Sequence, residues 1–219
     1  MNSTLTEIVF ILDRSGSMGG LEKDTIGGYN EMLHKQKDLG GEVLLSTVLF
    51  DHQFEVIHNR LPIQEVSDLT RDDYYVRGST ALLDAVGRSI DHIKSVQRME
   101  QKIGDWRKPT KTLFVITTDG LENASTEYTY EKIKHMISRQ QEFDHWEFIF
   151  LGANIDAINM AKRFGIHQDH ATNFHADSEG VKKHYKAVSD AIYELRINAC
   201  IAPKWKDEIE KDFEDRKKE

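Results

Sequence analysis

Three short segments of this 219-residue chain concentrate oxygen-bearing side chains among glycines. Asp13-Arg14-Ser15-Gly16-Ser17-Met18-Gly19-Gly20 sets one acid and two hydroxyls at alternate positions; Gly78-Ser79-Thr80 and Thr117-Thr118-Asp119-Gly120 add further hydroxyls and a second acid. Alternation along an extended turn points Asp13, Ser15 and Ser17 the same way, and Gly16, Gly19 and Gly20 let the backbone bend sharply. Singly, each residue has an ordinary explanation: Asp13 and Asp119 as turn residues, Ser17, Ser79 and Thr80 as helix caps. Gathered on one edge of one sheet, two carboxylates and three hydroxyls make an oxygen-only set that suits a hard divalent cation. Two carboxylates on adjacent strands would also repel unless a cation lay between them.

The elements that must position these residues are legible as patterns. Apolar runs at 8–12, 43–50, 113–116 and 146–151 are nearly continuous and rich in β-branched and aromatic residues, as expected of parallel strands buried on both faces. Residues 53–57 follow the second run after a short Asp51-His52 turn, which predicts an antiparallel edge partner, and 170–174 is a weaker candidate for a last strand. Between the runs lie helical patterns at 20–38, 128–141, 156–164 and 180–196, and a clear stripe of Leu82, Leu83, Val86, Ile90, Ile93 and Val96. Strands alternating with helices predict an α/β, Rossmann-like doubly wound, mostly parallel sheet with helices on both faces. In such a sheet, ligands sit outside the carboxyl ends of the strands, where Asp13 and Asp119 fall.

In order and spacing, Asp13-Arg14-Ser15-Gly16-Ser17, Gly78-Ser79-Thr80-Ala81-Leu82-Leu83-Asp84-Ala85 and Thr118-Asp119-Gly120 together resemble the metal-ion-dependent adhesion site (MIDAS) of von Willebrand factor A domains. The resemblance extends from about residue 7 to residue 174 and most closely fits stand-alone prokaryotic or phage members. It implies that Ser15 and Ser17 ligate one ion directly. Thr80 would join them in the ligand-engaged state, with Asp13 and Asp119 nearby, directly or through water. Mg²⁺ or Mn²⁺ is expected over Ca²⁺, and the exchangeable position, at roughly 2.0–2.1 Å, would take an Asp or Glu carboxylate from a partner protein. Glu122 and Asn123 lie on the same rim, where they could touch that partner.

Other chemistries fit less well. A Mg²⁺-dependent phosphohydrolase of the haloacid dehalogenase kind needs a second acid two residues after its aspartyl nucleophile, and Ser15 stands there. Gly-x-Ser-x-Gly, P-loop and Gly-x-Gly-x-x-Gly motifs are absent. His167, His170 and His175 beside Asp169 and Asp177 are loosely spaced for zinc and read as solvated loop residues. Arg14 and Arg77 read as surface ion pairs flanking the site, and Tyr74 and Tyr75 as packing over its loop.

Composition bounds the rest. With 29 Lys and Arg against 37 Asp and Glu, the net charge is −8 and the charges are dispersed, which argues against phosphate-driven nucleic-acid binding. No apolar run approaches the roughly 20 residues of a membrane span, and residues 1–10 lack the features of a signal peptide. The single cysteine, Cys200, fits a reducing compartment, so a cytoplasmic setting is expected. One domain is expected over 1–200. A charged amphipathic helix should follow over 201–219, where Trp205, Ile209 and Phe213 recur every four residues; burial of Trp205 would mean that this helix lies on the domain.

Overall fold

A computed structural model describes residues 5–102, 109 and 111–217. Six strands form one sheet: β1 (Thr6–Asp13), β2 (Val43–Phe50), β3 (Phe54–Pro62), β4 (Lys111–Thr118), β5 (Glu147–Gly152) and β6 (Ala171–Asn173), in the order β3-β2-β1-β4-β5-β6. All neighbours pair in parallel except the edge strand β3, which runs antiparallel to β2. Every residue of β1 is buried, which is why its stretch from Ile8 to Leu12 is continuously apolar rather than alternating.

Helices cover both faces. α1 (Glu22–Asp38), α5 (Ser178–Asn198) and α6 (Asp207–Arg216) pack with Ile8, Phe10, Leu12, Leu113 and Val115 on one face. α2 (Leu82–Lys102), α3 (Tyr130–Asp144) and α4 (Ala157–Phe164) pack with Val9, Ile11, Phe114, Ile116 and Phe148 on the other. Alternate residues of each central strand thus serve opposite cores.

The order of the strands fixes where a ligand can sit. From β1 the chain crosses to β2 on one side, whereas β4, β5 and β6 build outward on the other. A crevice therefore opens between the carboxyl ends of β1 and β4, the topological switch point of the sheet.

Some details depart from the sequence expectations. The last strand is only Ala171–Asn173, because Gln168–His170 forms a single 3-10 turn. The C-terminal helix begins at Asp207, after a 3-10 turn over Pro203–Lys206. Trp205 and Ile209 are buried, and the Trp205 indole donates a 2.9 Å hydrogen bond to the Asp169 carbonyl, so this segment lies on the domain.

Candidate metal centre

Asp13 is the last residue of β1, and Asp119 follows the last residue of the adjacent β4. Asp13 is 1 % exposed and fully engaged. Its Oδ1 accepts from the Ser15 amide at 2.7 Å and its Oδ2 from the Thr118 hydroxyl at 2.6 Å, while its carbonyl takes the Tyr74 hydroxyl at 2.6 Å. The Ser15 amide bond tightens the turn that brings Ser15 and Ser17 back over the strand end. Their hydroxyl oxygens lie 3.1 Å apart, and Ser17 Oγ donates to Asp119 Oδ1 at 2.5 Å.

Thr80 reaches the same place from the loop before α2. The Gly16 amide donates to the Gly78 carbonyl at 3.1 Å, joining the two loops. A methyl group added to Gly120 would lie 3.1 Å from Ser17 Oγ and 3.4 Å from Thr80 Oγ1, so both hydroxyls lean over the Gly120 backbone. Asp13, Ser15, Ser17, Thr80 and Asp119 are thereby brought to one end of one crevice. Above them is a shallow open depression of about 310 Å³ lined by Ser15, Ser17, Thr80, Gly120, Leu121 and Asn123, among others.

Electrostatics single out Asp119. Its second oxygen, Oδ2, is buried and has no hydrogen-bond partner. Burial raises its pKa to about 6, with the Ser17 hydrogen bond opposing and the charge of Asp13 adding to the rise. Burial also raises the pKa of Asp13, against the hydrogen bonds from Ser15 and Thr118. A buried carboxylate oxygen with no donor is costly unless a cation supplies the missing interaction, and the neighbouring donors are oxygens alone. The residues therefore fit a hard divalent ion. Among the described residues no three His, Cys, Asp or Glu side chains converge in a way that would hold a metal, so hydroxyls must supply part of any coordination here.

Several neighbours differ from their sequence readings. Ser79 and Thr80 do not cap α2. Its first amides are instead taken by the loop after β4, with Leu83 N donating to Glu122 Oε2 at 2.9 Å and Asp84 N to Ser125 Oγ at 3.0 Å. Asp84 returns the favour, accepting from the amides of Thr126, Glu127 and Tyr128 at 2.9–3.0 Å. Glu122 is thus committed inward rather than to the rim. Arg14 is fully buried, not a surface residue: its Nε bonds Asp51 at 3.0 Å and its Nη2 lies 2.7 Å from Glu55. Arg77 meets the same Asp51 at 2.7 Å. Tyr74 does pack beneath the loop, but Tyr75 is 43 % exposed and lies against both guanidiniums, 5.5 and 5.3 Å from their carbons. The three loop histidines diverge: His167 faces Asp169, His170 faces Glu147, and His175 reaches the Phe213 carbonyl.

No family model and no curated protein matches this sequence. Solved structures do. A mutant form of the PilB minor pilin from Streptococcus sanguinis superposes with a TM-score of 0.63 at 12 % identity, over 90 % of this chain and 64 % of that one. The manganese-loaded TRAP protein of Plasmodium vivax gives 0.55 at 15 % identity, over 84 % of this chain and 74 % of that one. A von Willebrand factor type A protein from Catenulispora acidiphila gives 0.57 at 13 % identity, over 86 % of this chain and 42 % of that one. This chain thus spans less than two thirds of the pilin and of the Catenulispora protein. The fold is that of a von Willebrand factor A domain.

Proposed function

We propose that this chain is a metal-dependent protein-interaction module. Ser15, Ser17 and Thr80 would hold one divalent cation, with Asp13 and Asp119 beside them, and a partner protein would present an Asp or Glu carboxylate to it. The observation that carries this reading is the partnerless buried oxygen of Asp119, set beside Asp13 and three hydroxyls under an open depression. When bound, Mg²⁺ or Mn²⁺ supplies a Lewis-acidic position open to a carboxylate oxygen.

The chain's own residues supply the rest. The Asp13 carboxylate accepts from the Ser15 amide and so holds the serine loop, Thr118 holds Asp13, and Asp119 orients Ser17. With neutral hydroxyls making up much of the donor set, little charge is donated, which favours an added anionic ligand. The solved neighbours support interaction rather than turnover, since they include pilus proteins. The exposed lone thiol of Cys200 supports a reducing, cytoplasmic setting.

Crystals grown with Mn²⁺ and measured at its absorption edge test this. One anomalous peak bounded by Ser15, Ser17 and Asp119 is expected, and a peak elsewhere or none would count against the reading. Metal-dependent turnover of a phosphate ester, lost in Asp13→Ala, would put a phosphohydrolase in its place.

A further inference from the structure

We infer that Asn123 is a positioning residue for this centre, clamping Thr80 so that its hydroxyl is set beside Ser17 before any ion arrives; the inference rests on the cation-site reading above. Two hydrogen bonds make the clamp. The Asn123 amide donates to the Thr80 carbonyl at 3.0 Å, and the Thr80 amide donates to Asn123 Oδ1 at 2.9 Å. Thr80 is therefore bracketed on both of its backbone polar groups by one residue, 43 positions away. The backbone half of the clamp survives any substitution, but the other half needs a short side chain with an acceptor oxygen. Asn123 is itself exposed, so burial does not account for its identity.

The clamp stands on a rigid base. Glu122 accepts from the amides of Leu83, Ala124 and Ser125 and from the Ser125 hydroxyl at 2.7–2.9 Å, and Asp84 ties down Thr126, Glu127 and Tyr128. Each of these carboxylates caps the other's segment, so the loop after β4 and the first turn of α2 are bolted together around Asn123. A hydroxyl ligand held in place in advance loses less freedom on binding an ion.

Titration of Mn²⁺ into the full chain, with Thr80 amide exchange followed in the metal-free protein, tests the assignment. Asn123→Ala should weaken Mn²⁺ about 10-fold, the low end for groups that orient ligands, and should speed exchange at Thr80. Asn123→Gln, one methylene too long, should behave like Asn123→Ala. Asn123→Asp, which keeps the acceptor at the right reach, should restore most of the affinity. In a Thr80→Ala background Asn123→Ala should add no further loss, because the residue acts through Thr80. Unchanged Mn²⁺ affinity in both Asn123→Ala and Asn123→Gln, or an undiminished loss in the Thr80→Ala background, would overturn the inference alone. Failure of the wild type to bind Mn²⁺ would overturn the cation-site reading and this inference with it.

Discussion

Ser17 and Asp119, 102 positions apart, are joined by a 2.5 Å hydrogen bond, while the other oxygen of that carboxylate is buried without a partner. The bond ties the turn after β1 to the turn after β4 across the switch point of the sheet. It also leaves half a carboxylate aimed at nothing in the protein, in a place where neutral oxygens abound.

The pH dependence follows from Asp119. Its folded pKa of about 6 is raised above the ordinary value of 3.8, so the native state holds this proton more tightly than the unfolded chain does. Its contribution is neutral when the group is protonated in both states, turns unfavourable as pH rises from about 4 to 6, and is fully unfavourable above that. Thermal melts of chelator-treated protein should show Asp119→Asn gaining on the wild type across this window. Mg²⁺ should stabilise the wild type fully at pH 7.5 and progressively less below about pH 6, where protons compete. A stability difference between the two proteins that does not change from pH 4 to 7.5 would contradict this.

Thr118 should matter through Asp13. Thr118→Val removes the 2.6 Å donor to Asp13 Oδ2 at nearly constant volume. An unsatisfied buried carboxylate oxygen costs about 1–3 kcal/mol, and loss of a group orienting a ligand costs about 10–100-fold in metal affinity. Urea unfolding and Mn²⁺ titration check the two effects separately.

Gly27 and Gly28, adjacent in α1, should respond in opposite directions. A methyl group on Gly27 meets nothing within 4 Å, so Gly27→Ala should stabilise by about 0.5–1 kcal/mol through helix propensity. On Gly28 the same group would lie 2.3 Å from the buried Tyr185 ring, and overpacking of that kind costs about 1–3 kcal/mol. Paired denaturant melts decide this.

Much of the fold is legible in the sequence because its parallel strands are buried on both faces and so read as continuous apolar runs. The three oxygen-rich turns are equally visible, since each directly follows a strand or precedes a helix. What sequence pattern does not show is pairing over long distances. The edge strand β3 continues to Pro62, well past the expected residue 57. It passes a bulge in its pairing with β2, near which the Arg60 amide finds Ser46 Oγ at 3.0 Å. Arg14 looks like a surface charge until the register of β1 with β2 brings it to Asp51, which follows the paired residue Phe50. Ser79 and Thr80 look like caps until Glu122 and Ser125 take the amides that a cap would serve. Asp84, within the motif-bearing stretch, carries no local sign that it will cap a loop some forty residues on.

In the proposed centre Ser15, Ser17 and Thr80 would hold one divalent cation, with Asp13 and Asp119 beside them. Its most direct test is calorimetric titration of Mg²⁺ and Mn²⁺ into chelator-stripped protein, with Asp13→Ala and Thr80→Ala alongside. One saturable site in the wild type, lost in Asp13→Ala and weakened in Thr80→Ala, is the predicted result. No binding at millimolar metal, or binding that survives Asp13→Ala unchanged, would contradict the claim and leave these residues as turns and loop ties in a von Willebrand factor A fold.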